Sequence, residues 1–294
     1  MDPRITTGTL ANGLRYYIRA NKSPRNRAEL RLAVNAGSIL EDDDQRGLAH
    51  MVEHMAFNGS VHFPGNDIIS FMQAIGMRFG AHVNAHTGFD ETVYQLQIPT
   101  DNSAVIDRAL LVMEDWAHGV TFPPDEVDKE RGVVLEEWRL GLGADERMRD
   151  KQFPVLLKGS RYADRLPIGT PETLRTFTLP QLKRFYNDWY RPDLMAVIAV
   201  GDFDVPAVER MIKAHFENIP RPANERPRLD YPVPDHPGTL YTVATDPEAT
   251  VTSVSVINKM AFRDQTTVQS YRPPRARIRR RGRLSARGRR AGGA

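Results

Sequence analysis

The sequence predicts an α+β fold, a mixed or antiparallel sheet with helices packed largely on one face, and three observations carry that prediction. Segments alternating at a period of two come early, segments with helical spacing follow them, and a nearly continuous apolar run, Leu194 to Val200, arrives late. The late run suits a central strand.

Taken in order, Asn12-Gly13 between Thr6–Leu10 and Leu14–Ile18 is a hairpin signal, because Asn and Gly tolerate the positive φ of tight turns. Ala28 to Val34 alternates as a half-buried strand. Gly65 to Gly76 reads as a short helix closed by glycine, and His82–Asn84 with Thr92–Ile98 reads as a strand pair. Helical spacing predicts further helices over Ser103–His118, Pro124–Leu140, Leu179–Trp189 and Pro206–Phe216.

Composition bounds the chemistry. The chain has 294 residues and no cysteine, which excludes disulfides and thiolate metal sites and leaves room for one large or two smaller domains. No apolar run approaches the length of a membrane span, and residues 1 to 20 contain Asp2, Arg4 and Arg15 without a signal-like apolar core. The chain as written is therefore expected to be soluble and not exported.

The segment His50-Met51-Val52-Glu53-His54 follows Gly47-Leu48-Ala49, and Leu48, Met51, Val52 and Met55 recur at helical spacing. On such a helix two imidazoles four residues apart share a face, and the carboxylate three residues after the first joins them. Imidazole nitrogens suit Zn²⁺, and a carboxylate beside the metal can take a proton from water, so the pattern matches the inverted zinc-peptidase motif. Two histidines that never meet a metal are the alternative.

A catalytic zinc takes three protein ligands, so a further carboxylate is expected. Pro124 to Leu140 opens with proline and acids and continues with Val127, Val133, Val134 and Trp138, an amphipathic helix with Gly132 as a weak point. Glu130 and Glu137, seven residues apart, point the same way. One can ligate while the other steadies a histidine; a solvated acidic face is the default alternative.

These residues resemble the pitrilysin/insulinase inverzincin metallopeptidases, particularly bacterial insulinase-like members. The stretches that carry the resemblance are Gly47–Gly59, Asn84–Tyr94, Glu130–Trp138 and Trp189–Asp202, in family order over most of residues 5 to 220. The resemblance covers the N-terminal half of such an enzyme and implies a half-clamshell peptidase domain holding one Zn²⁺ per chain. It implies His50, His54 and Glu137 as ligands, Glu53 as general base and Glu130 as the catalytic site's supporting carboxylate. Ala81 to Thr87 resembles the edge strand on which the family lays its peptide substrate, with His82, Asn84 and Ala85 as substrate-binding positions. Phe57 either lines a side-chain pocket there or belongs to the core. The family's second half closes over the substrate, so a further half-domain or a partner subunit is implied. A zinc-binding but weak or inactive fragment is the alternative to an active endopeptidase. Many bacterial members are periplasmic, which makes a signal upstream of this sequence an expectation too.

The expected organisation is a zinc-bearing domain over 1–219, a Pro/Arg-rich linker over 220–238, and the incomplete start of a second, related domain over 239–272. Residues 273–294 contain nine arginines and no acid, while the whole chain has 40 basic and 37 acidic residues, so the remainder is net acidic. Such a tail builds no core. It is expected to be an out-of-frame product of a GC-rich gene, which leaves nucleic acid outside the expected partners; a basic nucleic-acid-binding arm is the alternative.

Overall fold

The structure, a computed structural model, describes residues 2–260 and residue 267. Strands β1 (Thr6–Thr9), β2 (Arg15–Ala20), β3 (Arg27–Val34), β4 (Val83–Thr87), β5 (Thr92–Pro99) and β6 (Met195–Gly201) form one sheet in the order β1-β2-β6-β3-β5-β4. β2 and β6 are parallel and every other pair is antiparallel, so the sheet is mixed. The late apolar run sits in its middle, between β2 and β3.

Register aligns the apolar side chains on one face. Leu30 lies between Leu96 and Ala199, and Leu32 lies between Tyr94 and Val197, all of them buried. The other face carries Arg15, Glu29, Arg31, Gln95 and Gln97, as period-two alternation requires. The β1–β2 turn is closed by the Leu10 N–H donating to Leu14 O at 2.8 Å, with Gly13 at φ +96.

Eight α-helices accompany the sheet among the described residues: α1 (Leu48–Met55), α2 (Asp67–Ala74), α3 (Ser103–Glu114), α4 (Pro124–Leu140), α5 (Ala144–Leu156), α6 (Pro171–Thr176), α7 (Leu179–Trp189) and α8 (Val205–Phe216). Local chemistry sets their starts. Asn102 accepts the Ala104 N–H at 3.0 Å to cap α3, Thr178 and Gln181 form a capping box on α7, and Asp204 accepts the Ala207 N–H at 2.9 Å on α8. α3 and α8 contact each other, β5 and β2, while α1 contacts α4, α7 and β4, which gives the one-sided arrangement expected.

Five stretches differ from expectation. α5 buries no residue and contains Pro154, and α6 is only six residues long, so neither carries the apolar period that announces a helix. α4 runs unbroken through Gly132, where a Cβ would meet nothing within 4 Å. The expected linker is irregular but held down: the Arg226 guanidinium reaches Asp42 at 2.9 Å and Asp188 at 2.8 Å and lies 5.0 Å from the Trp189 ring. Residues 239–260 form no strand despite their β-like pattern. A strand needs neighbours to pair its backbone, and here Tyr241, Val243, Val254 and Val256 are exposed.

The chain divides into two units, 1–251 and 252–294. Residues 252–260 of the second have no regular structure. The arginine-rich tail, 273–294, lies outside the described residues.

Candidate active site

The site starts from how α1 is held. Gly47 precedes it at φ +96, and its backbone packs against Gly169 so closely that a Cβ on Gly169 would lie 2.4 Å from Gly47 Cα. Only glycine fits that approach. The first free N–H groups of the helix are satisfied from a distance: Glu41 Oε1 accepts from Gly47 N at 3.0 Å and Ala49 N at 2.8 Å. Burial pushes the Glu41 carboxyl up to about 8, and these two donors oppose the rise. At the far end Trp116 Nε1 donates to Ala56 O at 3.0 Å, and Leu48, Met51, Val52 and Met55 are fully buried between. A helix fixed at both ends presents its remaining face rigidly.

That face carries the histidines. His50 Nε2 and His54 Nε2 approach to 3.1 Å, Glu137 Oε2 lies 3.4 Å from His54 Nε2, and Glu137 Oε1 lies 3.8 Å from His50 Nε2. One ligand atom from each of His50, His54 and Glu137 lies within 4.8 Å of the others. Two imidazoles and a carboxylate are a donor set that suits zinc. The pinched nitrogens point at a common position, which is the arrangement a shared cation relieves.

Glu130 stands one layer back. Its Oε1 is 2.7 Å from His54 Nδ1, and its Oε2 accepts from Asn58 Nδ2 at 2.7 Å. The hydrogen bond from His54 holds the Glu130 carboxyl below the usual range. Burial pulls the His54 ring down, yet the Glu130 hydrogen bond and charge outweigh it and leave His54 raised. His50, with no such partner, is pulled by burial down to about 4, and its Nδ1 is buried without a hydrogen bond. The lowered His50 value favours a neutral ring at neutral pH, and Glu130, at 2.7 Å from His54 Nδ1, fixes the orientation that turns His54 Nε2 toward His50 and Glu137.

Glu53 opens onto the same cleft, an open space of about 650 Å³ lined also by Phe57, Phe79, Ala85, His86, Val133 and Ile168. Burial pushes its carboxyl up, and the Thr87 hydroxyl, donating to Oε2 at 2.5 Å, pulls the other way. β4 forms one rim as the edge strand of the sheet. Gln97 N–H donates to His82 O at 2.7 Å, so antiparallel alternation turns the N–H groups of Val83, Ala85 and Thr87 outward. The Ala85 N–H is met by its neighbour's Asn84 Oδ1 at 2.9 Å.

The structure thus brings together His50, Glu53, His54, Glu130, Glu137, Asn84 and Ala85. Phe57 serves in both expected ways: it is buried against Trp116, ring centroids 5.3 Å apart, and one edge lines the cleft. His82 does not line this cleft. It precedes β4 in a tight turn where its Nδ1 accepts from Arg78 N at 3.2 Å, and it faces a different groove. Asn58, Thr87 and His86 were missed. Asn58 continues the four-residue spacing of His50 and His54, and period two from Ala85 leads to Thr87, so both were findable.

A one-sided mixed sheet bearing a His-x-x-Glu-His helix that faces a carboxylate-bearing second helix defines a class, the metallopeptidases of the inverted zinc motif. Residues 16–141 match the model for insulinase, Peptidase family M16, and residues 176–270 match that for the Peptidase M16 inactive domain. The chain belongs to this insulinase family.

Among its relatives, it is 41% identical over 267 residues to a zinc protease PQQL-like of Arabidopsis thaliana, covering 90% of this chain and 28% of that protein. It is 42% identical over 234 residues to a probable zinc protease PqqL of Haemophilus influenzae, covering 79% of this chain and 25% of that protein. The crystal structure of the first half of the periplasmic protease PqqL from Escherichia coli superposes with a TM-score of 0.75 at 40% identity, over 79% of this chain and 50% of that one. The chain therefore spans about a quarter of the length of these two curated relatives. Among the described residues no helix is long and apolar enough to cross a membrane.

Proposed function

We propose that this chain carries the zinc-binding and base-bearing part of an endopeptidase acting on extended peptides. The convergence of His50, His54 and Glu137 on one point, with the Glu53 carboxyl opening on the same cleft, carries the reading. His50, His54 and Glu137 would hold one zinc, and Glu130 would orient His54. When bound, the metal supplies Lewis acidity that makes water a nucleophile at neutral pH and polarises the scissile carbonyl.

The protein's own groups do the rest. An extended peptide adds to β4 as a further strand through the outward N–H and C=O groups of Ala85 and Thr87, beyond Val83, whose carbonyl already accepts the Gly80 N–H at 2.8 Å, and this selects backbone rather than sequence. Asn84 releases the Ala85 N–H as the peptide takes it. Glu53 then accepts the proton of the attacking water and delivers it to the departing amine, so that one carboxylate serves as base and then as acid.

A second reading is favoured by the share of its relatives that the chain spans. A preorganised oxyanion donor, worth roughly two to three orders of magnitude in rate, would then come from polypeptide outside this sequence or from a partner subunit, and this chain alone would turn over weakly. The linker and second-domain assignments for 220–272 belong to this reading.

Metal analysis and a quenched-fluorescent peptide assay on wild type and Glu53→Gln test the proposal. About one zinc per chain is expected in both, with turnover in the wild type only. Absence of zinc from the wild type at neutral pH would end the metallopeptidase reading, whereas zinc with equal silence from both proteins would select the fragment.

A further inference from the structure

We propose that Thr87 is a positioning residue that aims the Glu53 carboxylate, so that β4 both receives the peptide and holds the base that cleaves it. The proposal rests on Glu53 being that base. Thr87 Oγ1 donates to Glu53 Oε2 at 2.5 Å, the length of a hydrogen bond to a charged acceptor. Its proton has one destination. Thr92 Oγ1, the other hydroxyl in reach, lies at 3.4 Å, too long to compete with the carboxylate at 2.5 Å, and spends its own proton on Ala36 O at 3.0 Å. Thr92 is fully buried, so the wall behind Thr87 is fixed.

Among the described residues Glu53 Oε1 accepts no hydrogen bond, which leaves one carboxylate oxygen anchored and the other open to the cleft. A Glu side chain has three rotors, and a general base must sit within hydrogen-bond reach of its proton. The anchor removes that freedom at the last residue of β4. Thr87 shares a strand face with Val83 and Ala85, and α1 packs against this strand. The edge that pairs a peptide and the group that aims the base are consequently one rigid piece.

Thr87→Val keeps the β-branched shape and removes the donor, whereas Thr87→Ser restores the donor without the methyl. In the full chain loaded with zinc, Thr87→Val should keep its zinc, lower kcat about tenfold with KM within twofold, and weaken acetohydroxamate about tenfold in calorimetry. Acetohydroxamate engages metal and base together without turnover. Thr87→Ser should recover both to within about threefold.

Wild-type hydroxamate affinity in Thr87→Val, or equal impairment of Thr87→Ser, would overturn the assignment in favour of packing. A wild type that takes up no zinc refutes the peptidase reading instead. The positioning claim is then decided by crystal structures of wild type and Thr87→Val, where an unchanged Glu53 rotamer refutes it and a reoriented carboxylate supports it.

Discussion

Two histidine clusters in this protein are built from the same parts and differ in what they leave free. On α1 and α4, His54 gives Nδ1 to Glu130 at 2.7 Å and keeps Nε2 beside His50 and Glu137. On α3 and α8, His215 gives Nδ1 to Glu114 at 2.7 Å and Nε2 to Asp107 at 3.2 Å. With both nitrogens engaged by carboxylates, His215 is a charged staple. With one nitrogen oriented by Glu130 and the other turned toward His50 and Glu137, His54 fits the ligand role proposed for it. A histidine–carboxylate contact therefore says little about metal until the second nitrogen is followed to its end.

The sharpest way to break the comparison is to delete each ring. His54→Ala should abolish zinc uptake and turnover, whereas His215→Ala should retain about one zinc per chain by metal analysis. Zinc lost equally from both variants would mean that the fold, not the ligand set, was being measured. A smaller effect is expected from the carboxylates behind the rings. Glu130→Gln should weaken zinc about 10- to 100-fold in a chelator competition, and Glu114→Gln should leave it unchanged.

The smallest effect is in stability. The Glu114 hydrogen bond raises the His215 ring above its ordinary value near 6.5, against burial and with help from Asp107. Folding therefore binds a proton more tightly, and the contribution is complete below about pH 6.5 and lost as pH rises through the folded value. Urea unfolding of wild type and His215→Gln should differ by about 1 kcal/mol at pH 6, after allowance for the exposed Asp107, and converge above the folded value. A difference that grows with pH would contradict the staple.

The site was legible where its residues share a helix. His50, Glu53 and His54 on α1 and Glu130 and Glu137 on α4 are spaced by whole turns, so period alone places them on common faces. Choosing Glu137 over Glu130 as ligand needed the family resemblance; in the structure a Glu137 oxygen lies within 4.8 Å of a ring nitrogen of each histidine. Contacts between elements were not legible: Glu41 reaches α1 from a loop, and Thr87 meets Glu53 across a strand–helix packing. His82 pairs its carbonyl with the Gln97 N–H in the β4–β5 register, yet its ring turns back to Arg78 N, a contact within a turn that period two does not announce. For the fold, the central β6 was readable from composition, whereas α5 rests on the surface and needs no apolar stripe.

β6 has a consequence for synthesis. It lies between β2 and β3, yet it is made from residues 195–201, after both of them and after every residue of the proposed zinc site. A nascent chain that has released α1 and α4 from the ribosome still lacks the strand that joins the two parts of its sheet. Until Gly201 emerges, β2 and β3 present unpaired edges of the sort chaperones shield, and late strand insertion of this kind is slow. The sheet beneath the proposed zinc site is thus joined late, by a strand that contributes none of the site's residues.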